Sequence, residues 1–412
     1  MDKPEHSAAA EGPLSGIRVV EIASMYTGPM AAQYLGDMGA DVIKVEEPKG
    51  DLTRSMGPSK TDGMGAFFLT CNRNKRSVVL DLKRPEARHA LRRIILTADI
   101  VITSVRAASA ERIGISYEQV KEYAPAIIYC HGVGYSEKGP YAGRPAYDDV
   151  IQAVSGLASM QTVLAGQPRY VPSILGDKIA GMHLAYATVL ALVHRLRTGE
   201  GQQVSVPMFE TLAAFNLVEH LWGHSFEPPL APMGYVPVSQ AARHPYATTD
   251  GFVAVLPYSD AQWRRFFQLA GEPELIDDPR LTTFKARQQN IHYSWDVVEH
   301  LVATKSTQEW LDILAAEDIP YAPVNTLEDL VHDPHLEKVG FWTRMTDGTG
   351  EPLLTPNNPL SLPASPPAIR RGPPQLGQHT TEVLAECRAT AAGHRAIADS
   401  ADQSIAVRTS TR

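Results

Sequence analysis

The stretch from Gly16 to Val45, GIRVVEIASMYTGPMAAQYLGDMGADVIKV, decides the fold class. Its first seven residues are mostly apolar and predict a buried strand. Gly28-Pro29 then opens a helix from Met30 to Met38, which Gly39 ends, because glycine commonly follows the last turn of a helix. Asp41 to Val45 predicts the next strand. A strand, a short crossover helix and a second strand are typical of a parallel pair.

The same alternation continues along the chain. Further strands are predicted at 77–82, 99–102, 126–130 and 202–206, with helical stretches between them. Strands that alternate with helices indicate an α/β fold, here a Rossmann-like large domain whose mostly parallel sheet is covered on both faces. Ligands on such sheets usually bind at the carboxyl ends of the strands.

Two proline-rich segments, 226–238 and 352–374, divide the chain. Between them, a strand at 251–256 and helices at 260–270, 288–304 and 307–316 predict a smaller α+β domain. The predicted organisation is a disordered tail at 1–13, a large domain at 14–225, a linker at 226–239, a small domain at 240–335, a return strap with the C-terminal part of the large domain at 336–388, and a tail at 389–412.

Composition excludes several classes of protein. The chain has 412 residues, of which 44% are hydrophobic, which is enough for a sizeable core, and a net charge of −8 provides no global field for nucleic acid. Its three cysteines do not make a disulfide framework, so we expect a cytoplasmic protein. The N-terminus lacks the apolar core of a signal peptide, and the longest apolar run, Ile179–Val193, is too short for a membrane span and predicts a buried helix.

The common catalytic motifs are missing from the sequence. It contains no Walker A loop and no nucleophile-elbow serine, and Gly132–Glu137 lacks the third glycine of the dinucleotide fingerprint. His220 and His224 have metal-ligand spacing on a helix, but Leu221 replaces the glutamate of the zinc motif, and we expect no metal.

Two other features have a plain and a functional interpretation. The basic segment Asn72–Ser77 precedes a strand, and is either a solvated loop or a docking place for phosphates, for which Arg73 and its neighbours are suited. Asp177 stands before a long apolar helix. It is either a helix N-cap or a covalent nucleophile that Gly176 leaves open to a ligand.

An ordered series of segments resembles family III CoA-transferases, the group that contains formyl-CoA transferase and carnitine CoA-transferase. The resemblance runs from about Leu14 to Cys387. It is carried by Leu14–Glu21, Gly28-Pro29, Gly36–Glu46, Asn72–Asp81, Ile128–Cys130, Gly139–Tyr141, Arg144–Asp148, Arg197–Gln202 and Gly377–Leu384. The resemblance implies an interlocked homodimer, for which the two proline-rich segments would be stiff straps.

The resemblance places Asp177 on the family's catalytic aspartate. It implies that this carboxylate attacks an acyl-CoA thioester to give a mixed anhydride, and that the released CoA thiolate then forms an aspartyl-CoA thioester. An acceptor acid reverses the sequence. The implied partners are an acyl-CoA donor and a carboxylic acid acceptor; CoA takes part as a substrate and no permanently bound cofactor is expected. Backbone N–H groups near Gly176 are expected to stabilise the oxyanion.

The resemblance also implies the residues that contact CoA. Tyr26 and Thr27 follow the first strand, Leu80 and Lys83 lie at the adenine side, Arg112 faces the phosphates, and Arg144, Tyr147 and Asp148 line the approach to Asp177. The family's Asn-Phe-x-Pro-Gly stretch reads Ser104–Ala108 here, with Arg106 as a replacement contact. Glu47 stands where some members have a basic residue.

Alternatives remain open at this point. The α-methylacyl-CoA racemases resemble these transferases but have a histidine where this chain has Tyr147, and tyrosine is a poor base near neutral pH. A non-catalytic CoA-binding homologue is a third interpretation. For the substrate, Arg243 and His244 start a segment without the glycine run of some members. They suggest a site for a second carboxylate, hence a dicarboxylic acceptor or a succinyl-CoA donor.

Overall fold

The computed structural model describes residues 12–239 and 243–388, which fold into two compact units. Within the described residues, the first unit comprises 12–155, 170–215 and 338–388, and the second comprises 156–169, 216–239 and 243–337. The tails predicted at 1–13 and 389–412 lie outside the described residues, apart from residues 12 and 13.

The unit boundaries differ from the predicted domains, because 156–169 and 216–225 group with the second unit. The His220 carbonyl accepts the N–H of Gly234, and its Nδ1 accepts the N–H of Tyr235. These bonds join 216–225 to the segment that was predicted to be a linker.

A sheet of six parallel strands forms the centre of the first unit and confirms the predicted α/β fold. Its strand order is β3-β2-β1-β4-β5-β6. The strands are β1 (Arg18–Ile22), β2 (Asp41–Glu46), β3 (Lys75–Val79), β4 (Ile100–Thr103), β5 (Ile128–Val133) and β6 (Gln203–Pro207).

Helices cover both faces of this sheet or continue into the second unit. In chain order they are α1 (Thr27–Asp37), α2 (Ala66–Leu69), α3 (Pro85–Ile95), α4 (Ala107–Ile113), α5 (Tyr117–Lys121), α6 (Asp148–Val154), α7 (Leu157–Met160), α8 (Thr162–Ala165), α9 (Leu175–Thr198) and α10 (Met208–His220). Short 3-10 turns lie at Leu52–Ser55, Trp222–Ser225, Pro273–Asp277 and Asp329–Val331.

Side chains alternate between the two faces of the sheet, as the period of a strand requires. On β1, Val19 packs with α1 and α9, whereas Val20 packs with α3, α4 and α5. Both cores are apolar because both faces are buried. The helix predicted from Met30 starts three residues earlier, at Thr27. Pro29 is tolerated in this first turn, because the N–H groups of a first turn have no acceptor within the helix.

Helix α9 is longer and less buried than the sequence predicted. It has 24 residues, and by length and composition alone it is apolar enough to cross a membrane, a criterion that core helices of soluble proteins also meet. One face, which includes Ala180 and Leu184, is buried against the sheet and α1. The opposite face is exposed, and Tyr186 is 63% and Leu196 72% accessible.

Strand β3 begins two residues before its predicted start, so Lys75 and Arg76 lie in a strand rather than in a loop. The C-terminal segment covers this edge of the sheet. Asn74 donates its N–H to the carbonyl of Arg371 (2.8 Å), and His379 donates its N–H to the carbonyl of Ser77 (2.9 Å). An edge strand covered in this way does not present a row of unpaired backbone N–H and C=O groups with which another chain could pair.

The second unit has an aromatic core that includes Trp263, Phe266, Trp295 and Trp310. The helix predicted at 288–304 is divided by Asn290, whose φ of −120° is not helical. The elements of this unit are α11 (Val236–Ser239), α12 (Asp260–Ala270), α13 (Phe284–Gln289), α14 (Ile291–Val302), α15 (Thr307–Leu314), α16 (Pro334–Lys338) and an antiparallel sheet of β7 (Tyr246–Ala247), β8 (Phe252–Val255) and β9 (Tyr321–Pro323).

The chain returns to the first unit through an antiparallel hairpin of β10 (Trp342–Thr346) and β11 (Pro352–Pro356). The rest of the proline-rich segment 352–374 forms no further helix or strand, and Ala368 donates its N–H to the carbonyl of Asp37 (2.9 Å). A final helix occupies 380–388.

Buried ion pairs connect the first three strands. Lys44 and Lys75, both fully buried, bind the two oxygens of Glu21 at 2.7 Å each. Arg73 lies 3.0 and 2.7 Å from the two oxygens of Asp37. Removing one partner of such a pair leaves an uncompensated charge in the protein interior.

We therefore expect Arg73→Met to lower the free energy of unfolding by about 3–5 kcal/mol, because the Asp37 carboxylate stays buried without its cation. Urea denaturation followed by circular dichroism measures this loss. Lys60→Met is the matched control, since Lys60 pairs with Glu351 on the surface and such pairs contribute little. Equal stability of the two variants would contradict the structural role of Arg73.

Candidate active site

A cavity of about 270 Å³ opens where the order of strands reverses direction, between β1 and β4. The chain leaves β1 towards β2 and leaves β4 towards β5, so the loops Ser24–Thr27 and Ser104–Ala107 diverge. Both loops line the cavity, and Ser24 donates its N–H to Ser104 Oγ across the gap (3.4 Å). This is the position at which open α/β sheets bind ligands.

Asp177 lies in this cavity, in the first turn of α9. Its Oδ1 accepts a hydrogen bond from Thr27 Oγ1, the first residue of α1, at 2.5 Å. The interpretation of Asp177 as an N-cap is wrong, because Ile174 occupies the N-cap position and the Asp177 carboxylate accepts no bond from its own helix. The carboxylate instead points away from the helix end into the cavity.

Asp148 supplies the acceptor that the start of α9 needs. Its Oδ1 accepts the N–H of Asp177 (3.0 Å), and its Oδ2 accepts from Gln152 Nε2 (2.6 Å). Gly176 allows this approach, since a Cβ there would lie 3.1 Å from Asp148 Oδ1. The N–H of Asp177 is therefore committed to Asp148 and is not the expected oxyanion donor.

Burial raises the pKa of Asp177 to about 6, because removing the carboxylate from water disfavours its charged form. The Thr27 hydrogen bond acts in the opposite direction and lowers the pKa, and the nearby Asp148 carboxylate raises it. A carboxyl group that titrates near neutral pH inside a cleft is a functional-site candidate.

Five of the ten residues predicted to contact CoA line the Asp177 cavity. They are Tyr26, Thr27, Arg106, Arg144 and Tyr147, whereas Asp148 is buried behind the helix start. Burial raises the pKa of Tyr26 to about 12, so its phenol stays protonated at neutral pH. The Arg144 guanidinium lies over the ring of Tyr141, 4.3 Å from its centre.

The other predicted CoA contacts lie away from this cavity. Leu80 belongs to the core on the α3 side of the sheet, and Lys83 is exposed. Arg112, near the end of α4, lines a separate groove of about 420 Å³ together with Arg88 and Arg92. The cavity and this groove lie at the two ends of α4, because Ala107 lines the cavity.

The predicted phosphate contact at Arg73 is contradicted by its surroundings. Its guanidinium is buried, and besides Asp37 it donates to Thr355 Oγ1 (3.0 Å) and to the carbonyl of Pro356 (2.7 Å). Arg76 is likewise paired with Asp41 and two C-terminal glutamates. The basic segment is therefore part of the structural framework and has no cation free for a phosphate.

Sequence reasoning missed several residues that shape the site. Gln152 holds both Asp148 and the segment before α9, donating to the carbonyl of Ser173 (2.9 Å). His131 is buried, and its neutral ring donates to the carbonyl of Val105 (2.8 Å), which fixes the second cavity loop. Burial lowers the pKa of His131 and keeps that ring neutral. The bonds to Ser173 and Val105 join parts of the chain more than 20 positions apart, so no local pattern could reveal them.

Within residues 12–239 and 243–388, no group of three or more histidine, cysteine or acidic side chains is arranged to hold a metal ion. The described residues that line the Asp177 cavity include no histidine. The cavity therefore offers two carboxylates, Asp177 and Glu137, together with hydroxyl groups and two arginines as its chemical groups.

Comparison with known proteins agrees with this geometry. The family model "CoA-transferase family III" matches residues 14–380. The chain is 34% identical to the succinate–glutarate CoA-transferase of Agrobacterium fabrum, over 91% of this chain and 95% of that protein. It is 30% identical to a formyl-CoA:oxalate CoA-transferase of Escherichia coli, over 91% and 95%.

Among solved structures, a CAIB/BAIF family protein from Brucella suis superposes with a TM-score of 0.79 at 30% identity, covering 92% of this chain and 100% of that one. The family model and these similarities both extend over nearly the whole chain. They show that the chain belongs to CoA-transferase family III and is a CoA-transferase.

Proposed function

We propose that this protein transfers CoA between dicarboxylic acids and that Asp177 is its nucleophile. The observation that carries the proposal is the Asp177 carboxylate, set in a cavity, hydrogen-bonded at Oδ1 by Thr27 and oriented through its backbone by Asp148. Among the described residues, no hydrogen bond reaches Oδ2. That oxygen is free to attack.

In the first half-reaction, Asp177 Oδ2 forms a bond to the carbonyl carbon of the acyl-CoA thioester, and the C–S bond breaks. The products are a mixed anhydride and CoA thiolate. The thiolate then attacks the aspartyl carbonyl and releases the donor acid as its carboxylate. The enzyme now carries an aspartyl-CoA thioester, which keeps the energy of the original thioester.

In the second half-reaction, the acceptor carboxylate attacks the aspartyl-CoA carbonyl and expels CoA thiolate, again giving a mixed anhydride. The thiolate attacks the acceptor's acyl carbon, forms the new acyl-CoA and restores the Asp177 carboxylate. Each step exchanges one acyl bond for another, so atoms and charges balance without an external acid or base.

The cavity residues have separate parts in this scheme. Thr27 presents the carboxylate in one orientation, which lowers the entropic cost of the attack. Arg106 and Arg144 supply positive charge beside the cavity for the anionic CoA. We propose that CoA continues along α4 towards Arg112, with Lys83 as a contact of its adenine end, whereas the predicted contact Leu80 has its side chain buried in the core.

The dicarboxylate assignment is supported by a relative named as a succinate–glutarate CoA-transferase and by Arg243. Arg243 belongs to the second unit. Its Nε is buried and lacks a hydrogen-bond partner among the described residues, although Nη2 lies 3.4 Å from Tyr235 Oη. His244 is less suited to hold a carboxylate, because its Nε2 lies 3.9 Å from Glu299 and its Nδ1 is 3.0 Å from the carbonyl of Pro245.

A homodimer is part of the same proposal. The exposed face of α9 carries Met182, Tyr186, Leu190, Val193 and Leu196, and an apolar surface of this extent is typical of a protein interface. A second copy of this chain is the occupant that the family resemblance implies. The described cysteines, Cys71, Cys130 and Cys387, are free and buried, which supports a cytoplasmic location.

The racemase alternative is not favoured. Proton transfer at an α-carbon requires a positioned acid–base pair. The cavity has Asp177, but the described residues around it include no histidine, and Tyr147 is 63% exposed. The retained carboxylate with its two positioning partners also disfavours a non-catalytic CoA-binding homologue.

Asp177→Asn should lower the rate of CoA transfer by about 10³-fold or more, because an amide cannot form the anhydride. Transfer is measured by mass spectrometry of new thioesters from one acyl-CoA and a mixture of acids. Asp149→Asn, an exposed carboxylate next to Asp148, is the matched control. Normal transfer by Asp177→Asn would refute the assignment.

The stability of Asp177→Asn distinguishes lost chemistry from lost folding. Because burial raises the pKa of Asp177 above that of an unfolded chain, the ionised carboxylate destabilises the folded state. The melting temperature of Asp177→Asn should therefore equal or exceed that of the wild type at pH 8.

The transfer reaction should lose activity as the pH falls through about 6. The attacking group is the ionised carboxylate, and burial raises the pKa of Asp177 to about 6. The kcat/KM for the acyl-CoA should be level above pH 7 and should fall about tenfold per pH unit on the acid side. Circular dichroism over the same range controls for unfolding, and an acid limb near pH 4 would contradict the raised pKa.

Transfer to dicarboxylic acids should depend on Arg243. We expect the wild type to prefer glutarate over butyrate, and Arg243→Gln to lower that preference about tenfold or more, because a charge-assisted hydrogen bond is lost. Arg264→Gln, an exposed arginine on α12, is the control. Equal wild-type transfer to the two acids would exclude the dicarboxylate assignment and leave the role of Asp177 untouched.

A further inference from the structure

The loop between β1 and α1 is held by a buried ion pair, Lys44 with Asp51. We propose that Asp51 is a positioning residue for CoA transfer, acting through the backbone of Met25 to place Thr27 against Asp177. The inference rests on the proposed role of Asp177, but its decisive measurement does not require turnover.

Lys44 holds the loop from one side. Its ammonium group is fully buried and has three partners, Glu21 Oε1 (2.7 Å), Asp51 Oδ2 (2.9 Å) and the carbonyl of Ala23 (2.9 Å). The contacts with Glu21 and Ala23 are hydrogen bonds, and the contact with Asp51 Oδ2 is an ion pair. The Ala23 carbonyl is the point at which the loop leaves β1.

Asp51 holds the loop from the other side. While its Oδ2 faces Lys44, its Oδ1 accepts the N–H of Met25 (3.3 Å) and the N–H and hydroxyl of Thr53 (3.0 and 2.8 Å). Asp51 is 5% exposed. The ion pair therefore contacts the backbone on both sides of Ser24, at Ala23 through Lys44 and at Met25 through Asp51. The loop from Ser24 to Thr27 lines the Asp177 cavity.

The backbone of Met25 needs such an external partner. Its φ is +67°, in the left-handed region that side chains other than glycine rarely adopt. A strained residue persists only where its surroundings hold it, and such residues cluster at functional sites. Met25 is two residues before Thr27, the first residue of α1. The backbone conformation that Asp51 holds at Met25 therefore sets the position of the Thr27 hydroxyl.

A purely structural role for this ion pair gives a different expectation. Asp51→Asn leaves one oxygen where Asp51 uses two, and the buried Lys44 ammonium takes it, so the amide N–H2 faces the Met25 N–H and the loop is released. The variant also removes a negative charge from the region of the site, and by charge alone that change would lower the pKa of Asp177. Release of the loop would act in the opposite direction, because the Thr27 hydrogen bond lowers that pKa. The sign of the change therefore separates positioning from a general electrostatic effect.

The groups that face Asp177 are known and stay unchanged in this variant. Asp148 raises the pKa of Asp177 through its charge, Asp177 in turn raises the pKa of Tyr26, and Glu137, Arg106 and Arg144 line the same cavity. None of them contacts Asp51 through a hydrogen bond. A shift in the titration of Asp177 thus reports the position of Thr27.

The test is NMR titration of the Asp177 carboxyl carbon in protein labelled with 13C-aspartate, with the signal assigned by its loss in Asp177→Asn. We expect Asp51→Asn to raise the Asp177 pKa by about half a unit or more. Thr27→Val should cause a similar rise, and the double variant should show no further rise, because both changes remove one hydrogen bond. The acid limb of kcat/KM should move upward equally, with kcat about tenfold lower.

The control is Thr53→Val, which removes a partner of Asp51 without touching the loop, and it should leave the Asp177 pKa at its wild-type value. An unchanged or lowered Asp177 pKa in folded Asp51→Asn overturns the proposal. Should Asp51→Asn fail to fold, hydrogen exchange of the wild-type Met25 amide decides. Protection of that amide supports the proposal, and exchange at the rate of a free amide refutes it.

If Asp177 were not the nucleophile, its NMR titration would still respond to Asp51→Asn, while the acid limb of turnover would not follow it. Failure of the positioning proposal is therefore distinguishable from failure of the proposed function.

Discussion

After the neighbouring strands β1 and β4, the chain crosses over in opposite directions, to β2 and to β5. The site depends on the gap between the two loops that follow these strands. Where the crossovers from two neighbouring parallel strands run in opposite directions, neither crossover covers the backbone groups at the carboxyl ends of those strands. Here the gap receives the first turn of α9, which brings Asp177 to Thr27 although the two residues are 150 positions apart. The fold thus creates a cleft, and a long helix supplies the carboxylate within it.

The sequence alone predicted the parts of this arrangement that depend on local pattern. Apolar runs located the strands, and the family resemblance pointed to Asp177, Thr27 and Arg144, which line one cavity. The prediction for Arg73 was wrong because β3 begins earlier than its most apolar residues suggest. The basic segment is therefore buried at the start of a strand, where Arg73 is paired with Asp37. The hydrogen bond between Asp148 and the N–H of Asp177 at the start of α9 could not be predicted for another reason, since it joins residues 29 positions apart.

Charge in this protein is used in two different environments. Lys44, Lys75 and Glu21 lie in the dry interior, where each charge has a partner and sets the geometry of the strands. Asp177 is also removed from water, but its carboxylate has the Thr27 hydroxyl as a partner instead of a cation, so its pKa rises to about 6. Pairing with a cation would have lowered the pKa of Asp177 instead. The net charge of −8 reveals neither environment.

The cover over the β3 edge has a consequence for synthesis on the ribosome. Ser77 meets His379 across 302 positions of sequence, so the edge of the sheet stays open until nearly the whole chain has been made. At ordinary translation rates that interval is roughly 15–60 s. During this time the nascent first unit presents an unpaired strand, and a chaperone or the rest of the emerging chain must shield it. Truncation before residue 379 would make that temporary exposure permanent.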